Sequence, residues 1–287
     1  MIAVLKHELR SAFNSLTIYL FCAALLCFVG VGAMLYNIQA SVANFEYVLN
    51  FVSIGLVVII PVLTMRSFAE ERKQKTDQLL YSLPLTTWQI VAGKYLSLVV
   101  MFLLPVAIIC AYPYVFSRYG EVYLPGAYGA MLAFFVMGAA LIAVGMFVSS
   151  LTENQGFAAG IAIVVSLFNY YSVSLAEQVS ATGYGSAFAL CVIAVLVGFI
   201  VKALTKNNRI ALGIGGGLAV LTLAAYLIVP DKFEGLLPDI MKKLSLFDRF
   251  TTFVGGVFDL TALAFYASVI VFGLFLTVQS LEKRRYN

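Results

Sequence analysis

The chain has 287 residues, 62% of them hydrophobic and 11% charged, with a mean hydropathy of +0.98. Water-soluble domains carry roughly 25% charged residues, so this composition excludes a soluble globule and requires a bilayer. The net charge of +4 is spread over the ends of apolar runs, which reads as membrane topology and not as a nucleic-acid patch.

A spanning helix needs ~20 apolar residues, about 17–25. Residues 11–45, 47–65, 95–117, 122–152, 154–176, 178–201, 210–230 and 260–281 contain no Asp, Glu, Lys or Arg, and each run is long enough. The prediction is an all-α polytopic integral membrane protein, a single domain over 1–287. It has six core transmembrane helices plus an inserted hairpin over 178–230, eight spans in all. A shallow hairpin there would leave six.

In residues 1–15, Val4, Leu5, Leu9, Ala12 and Phe13 fall on one face and Lys6, His7 and Arg10 elsewhere. That pattern predicts an amphipathic helix lying in the inner interface. The apolar run from Leu16 to Leu35 exceeds the ~7–15 residues of a signal-peptide core, so an uncleaved first span over 16–38 is expected. A short outer loop with Asn44 and Glu46 leads to a second span, 48–65, with Pro61 near its inner end.

Residues 66–93 then break the apolar pattern. Arg66, Glu70, Glu71, Arg72, Lys73, Lys75 and Asp77 crowd together ahead of an apolar Leu79–Leu80 step and Pro84. Thr76 is placed to cap a short helix beginning at Asp77, and Thr86 or Thr87 to cap the next. Apolar side chains on a short charged element can enter a groove on a soluble partner or lie back on the membrane.

The third span, 94–115, contains Pro105 and Pro113, a sign of kinks that neighbours or water must satisfy. Spans at 128–150 and 156–175 are joined by a tight turn, and Gly156 and Gly160 open the fifth. This GxxxG spacing permits close helix approach, expected here against the fourth span. Near the outer end of the fifth, Asn169, Tyr170, Ser172 and Ser174 form a polar-aromatic group, read either as a candidate substrate path or as part of the interfacial aromatic belt. Residues 231–259 form the long outer segment, where Leu237, Ile240, Met241, Leu244 and Phe247 recur at helical spacing as an interfacial helix. The last span, 260–280, ends in Lys283, Arg284 and Arg285.

Lys and Arg accumulate in cytoplasmic loops. With both termini inside, thirteen fall inside (Lys6, Arg10, Arg66, Arg72, Lys73, Lys75, Lys94, Lys202, Lys206, Arg209 and the three at the C-terminal end), and five fall outside. Enzyme signatures are missing. His7 is the single histidine, and Gly93-Lys94 is followed by Tyr95 instead of Ser or Thr, so there is no phosphate-binding P-loop. Cys22, Cys27, Cys110 and Cys191 all fall in apolar runs without metal-site spacing. The residues alone therefore give no enzyme, no metal and no cofactor in this chain. Transport driven by ATP would need a partner.

The run 65–98 (MRSFAEERKQKTDQLLYSLPLTTWQIVAGKYLSL) closely resembles permease subunits of the ABC-2 class, in particular the gliding-motility and nitrous-oxide-reductase-maturation branch. Residues 5–19 (LKHELRSAFNSLTIY), 246–259 (LFDRFTTFVGGVFD) and 274–285 are similar to that branch's connecting helix and terminal span. The resemblance implies a permease subunit of an ATP-driven exporter in the inner (plasma) membrane, paired with a second permease copy, identical or related. A separate ABC ATPase would hold ATP and Mg. Coupling would fall to Glu70, Glu71, Arg72, Thr76, Asp77, Leu79, Leu80 and Pro84. The stretch 178–230 departs from the usual six-span pattern. The alternative from another class is a non-transporting scaffold or sensor that docks a soluble protein through 66–93.

In a cysteine-free background, a cysteine at Lys75 stays unlabelled by impermeant maleimide added to intact cells, and one at Gly120 is labelled. The reverse pattern overturns the orientation.

Overall fold

The computed structural model describes residues 1–75, 86–178, 185–187, 190–191, 213, 216–223, 226 and 235–285. Among these there is no strand. The helices are α1 (Ile2–Phe13), α2 (Leu16–Ala33, continued by a π-helical turn Met34–Gln39), α3 (Glu46–Thr64), α4 (Arg66–Lys73) and α5 (Thr87–Ile109). They are followed by α6 (Ala111–Phe116), α7 (Leu124–Leu151), α8 (Gln155–Gln178), α9 (Leu236–Leu244), α10 (Leu246–Val254) and α11 (Leu260–Arg285). Six described segments are long and apolar enough to cross a membrane: Leu16–Gln39, Glu46–Lys73, Thr87–Phe116, Leu124–Leu151, Gln155–Gln178 and Leu260–Lys283. The chain is a multi-pass α-helical membrane protein. The expected hairpin over 178–230 lies mostly outside the described residues.

Two compact units are present, one of Met1–Tyr170 with Leu246–Asn287 and one of Tyr171–Ser245. The first is organised around α7, the most enclosed span, which packs against α3, α4, α5, α6, α10 and α11. Its small residues make this possible. A Cβ on Gly138 would sit 2.3 Å from the Phe102 ring of α5, and one on Gly145 would sit 2.3 Å from Thr64 Oγ1 of α3. On α11, a Cβ on Gly273 would come within 3.2 Å of the Ala143 backbone. Such small-residue contacts bring helix backbones together in lipid. Hydrogen bonds across the spans add to this: Tyr95 donates to the Ala139 carbonyl (3.3 Å) and Ser280 to the Ser150 carbonyl (3.2 Å).

Local chemistry sets the helix ends. Thr86 and Gln89 form a reciprocal capping box at the start of α5, so the expected cap at Thr86 is formed and the helix it opens runs on into the span expected from 94. The chain breaks at Cys110, and Pro113 falls in the first turn of α6, where its missing N–H has no helical partner to lose. Asn154 Oδ1 accepts from the Gly156 N–H at 2.9 Å at the start of α8. The expected packing of Gly156 and Gly160 on α7 is not formed: among the described residues a Cβ on Gly160 would meet nothing within 4 Å, and the atom nearest a Cβ on Gly156 is its own cap, Asn154 Oδ1. Asp259 opens α11, accepting from the Thr261 hydroxyl at 2.6 Å and N–H at 2.8 Å, and these bonds hold its carboxyl below the ordinary value.

The expected single outer interfacial helix is two helices with a break at extended Ser245. The second, α10, buries Leu246, Phe247, Phe250 and Phe253 and packs on α7 and α3. Its aromatic face therefore meets protein. Gly256, with φ of 79°, closes α10 in the left-handed conformation that suits glycine.

Gly145→Val forces a β-branched side chain onto Thr64 and lowers thermal stability in detergent, by about 1–3 kcal/mol or more for overpacking. Gly160→Ala leaves the melting temperature of the solubilised protein unchanged or slightly raised.

Candidate functional site

The charged segment leaves the second span through a built joint. Helix α3 ends at Thr64 and α4 begins at Arg66, so backbone groups near the break need partners from elsewhere. Ser149 of α7, fully buried, supplies them. Its hydroxyl accepts from the N–H groups of Phe68 and Ala69, both at 3.2 Å, and donates to the Met65 carbonyl at 3.0 Å. Thr64 turns its own hydroxyl back to the Ile60 and Pro61 carbonyls. Phe68 and Ala69 are buried, so α4 leaves the bundle as a packed helix.

A second polar centre joins three helices. Lys94, two turns into α5, is 2% exposed and donates to Glu8 Oε1 of α1 (2.8 Å), Glu71 Oε1 of α4 (2.6 Å) and the Ser67 carbonyl (3.0 Å). The Phe68 ring lies 5.3 Å from the ammonium. Beside it, a Cβ on Gly93 would touch Val4 Cβ at 3.1 Å, so α1 and α5 meet nearly at backbone distance. Otherwise α1 buries no residue, as befits a helix lying along an interface. Arg66, at the start of α4, donates to Thr17 Oγ1 of α2 at 2.8 Å.

Glu70, Glu71 and Arg72 lie on α4. Glu70 accepts from Gln74 Nε2 at 3.4 Å near the surface, Glu71 belongs to the Lys94 cluster, and Arg72 is buried. Thr76, Asp77, Leu79, Leu80 and Pro84 lie outside the described residues. In the first unit, Asn169 Oδ1 accepts from the Leu246 N–H at 2.9 Å and Tyr170 stands edge-on to Phe247 at 5.0 Å. Tyr266 donates to the Leu246 carbonyl at 2.9 Å, so both backbone groups of Leu246 are held. In the second unit, Ser172 is buried and Ser174 exposed.

Sequence reasoning counted Lys94 among the inner membrane anchors and passed over Glu8 and Ser149. A lysine eight residues beyond the Thr86 cap and two turns into a helix was the available signal. Ser149 carried none beyond being polar near a span end. Among the described residues, no three His, Cys, Asp or Glu side chains converge as a metal site.

These elements form a polytopic helical bundle with a charged helix braced between its second and third spans. Residues 31–176 match the family described as ABC-2 family transporter protein, and the chain belongs to that family. Its members form the membrane component of the transporter and are not themselves catalytic. No curated protein and no solved structure matches the chain.

Ser149→Ala leaves two buried N–H donors and a carbonyl without partners, at about 1–3 kcal/mol for each group left unsatisfied. Hydrogen exchange at the Phe68 and Ala69 amides accelerates by tenfold or more, counting ~1.4 kcal/mol per tenfold, while the middle of α7 keeps its protection.

Proposed function

We propose that the chain is the permease subunit of an ATP-driven exporter of the gliding-motility and nitrous-oxide-reductase-maturation branch, working in the inner (plasma) membrane. It pairs with a second permease copy and with a separate ABC ATPase that holds ATP and Mg. The observation that carries this reading is the joint at Met65–Ala69. The segment that resembles the family's coupling region leaves the bundle as a helix held by α7, so a push on it reaches the spans without being absorbed in a loose loop.

In this reading the ATPase meets Glu70, Thr76, Asp77, Leu79, Leu80 and Pro84, with Glu71 turned inward to Lys94 and Arg72 buried in the protein. Apolar Leu79 and Leu80 supply the contact, and the charges around them set its register. Closure of the ATPases moves α4, and α4 moves α3 and α5. The permease pair then opens to an exported amphiphile.

Purified in detergent, the wild-type permease retains a P-loop ATPase from its own cells and shows ATP turnover. Glu70→Lys combined with Leu79→Ser and Leu80→Ser weakens that association by roughly thirtyfold, the effect of losing an interface hot spot of about 2 kcal/mol. Recovery of a soluble partner without ATP turnover favours the scaffold. Full ATPase retention by the triple variant removes 66–93 as the docking segment.

A further inference from the structure

We infer that Lys94 is a positioning residue that binds α1 into the coupling device, so that α1, α4 and α5 move as one body. This rests on the coupling role proposed above for α4. An ammonium offers three N–H donors, and Lys94 has three acceptors: Glu8 Oε1 from α1, and Glu71 Oε1 and the Ser67 carbonyl from α4. Its helix, α5, thus stands between the other two with every proton committed.

Both carboxylates lean inward from the rim. Their side chains are 24% (Glu8) and 23% (Glu71) exposed, against 2% for the lysine. A buried ammonium that loses one partner keeps its desolvation cost without compensation, so displacement of α4 alone is opposed and displacement of all three helices together is not. Elsewhere helix α1 is held by partly buried apolar side chains, Leu9 and Ala12, that pack against the core. It buries no residue, and its close approach to α5 is the Val4–Gly93 contact beside the lysine. An amphipathic helix in the interface, driven from α4 through one charge, would carry the ATPase stroke into the surface of the bilayer.

The test uses the full-length permease in nanodiscs, cysteine-free apart from spin labels at His7 on α1 and Lys73 on α4, both exposed. A second pair at Lys73 and Glu153 serves as control. Wild type gives one narrow His7–Lys73 distance by EPR. Lys94→Met and Glu8→Ala each lose it to a broad distribution, the double variant is no broader than Lys94→Met alone, and the control pair stays narrow. An unchanged His7–Lys73 distance in Glu8→Ala, or additive broadening in the double variant, overturns the inference. Glu8→Ala decides alone if Lys94→Met does not fold.

A second arm adds the copurified ATPase with MgATP and vanadate. Both labels shift relative to the outer end of the bundle in wild type, and the α1 shift is lost in Glu8→Ala. If α4 itself does not shift in wild type, the coupling reading fails, and the distances in the permease alone still decide whether Lys94 ties α1 to α4.

Discussion

Helices in lipid gain little by hiding apolar surface from one another, because lipid tails are as apolar as leucine. The first unit therefore depends on how closely neighbours can approach α7. Gly138 and Gly145 are seven residues apart, nearly on one stripe of the helix. The first receives the Phe102 ring from α5 and the second the Thr64 side chain from α3. Ala143 meets Gly273 of α11 on another side. A methyl group at either glycine would separate a pair of spans, with its effect felt at every contact further along the same helices.

Sterics set the middle of the bundle, and directional polar bonds set its inner end. Ser149 lies one turn beyond Gly145 on the same side of α7, so the glycine that admits α3 also brings the serine hydroxyl to the α3–α4 break. That hydroxyl accepts twice and donates once, filling its capacity. Lys94 does the same with three donors. A polar group at this depth is tolerated because each of its bonds is made inside the protein. The same bonds leave no slack between α4 and the spans.

The spans were legible in the sequence because charge-free runs and the Thr86 cap are local signals. Their starts and stops were less so. Helix α5 begins before its charge-free window because the capping box outranks the position of Lys94. The break at Ser245 was hidden because apolar residues keep helical spacing across it, from Met241 and Leu244 to Phe247. The joint itself could not be read. A serine and a lysine near span ends look the same whether they face headgroups or a helix terminus, and only the tertiary approach of α7 and α1 decides. Asn169 is a similar case. Its amide reads as a pathway group by composition, and in the structure it takes up the N–H at the start of α10, which the broken outer helix leaves open.

This geometry bears on whether the charged segment is a docking post or a lever. A scaffold needs a surface its partner can recognise, and a flexible loop would serve. Tethering alone does not call for two polar centres that tie the same short helix to α7, α5 and α1. A lever needs those ties, and needs them oriented, because a force applied at Glu70 must reach the spans before it is lost in bending. Ser149 grips the backbone of α4 near its first turn, and Lys94 holds its Ser67 carbonyl and, one turn on, its Glu71 side chain. Two attachment points a turn apart fix the direction of a helix as well as its position, as the transmission proposed for it would require.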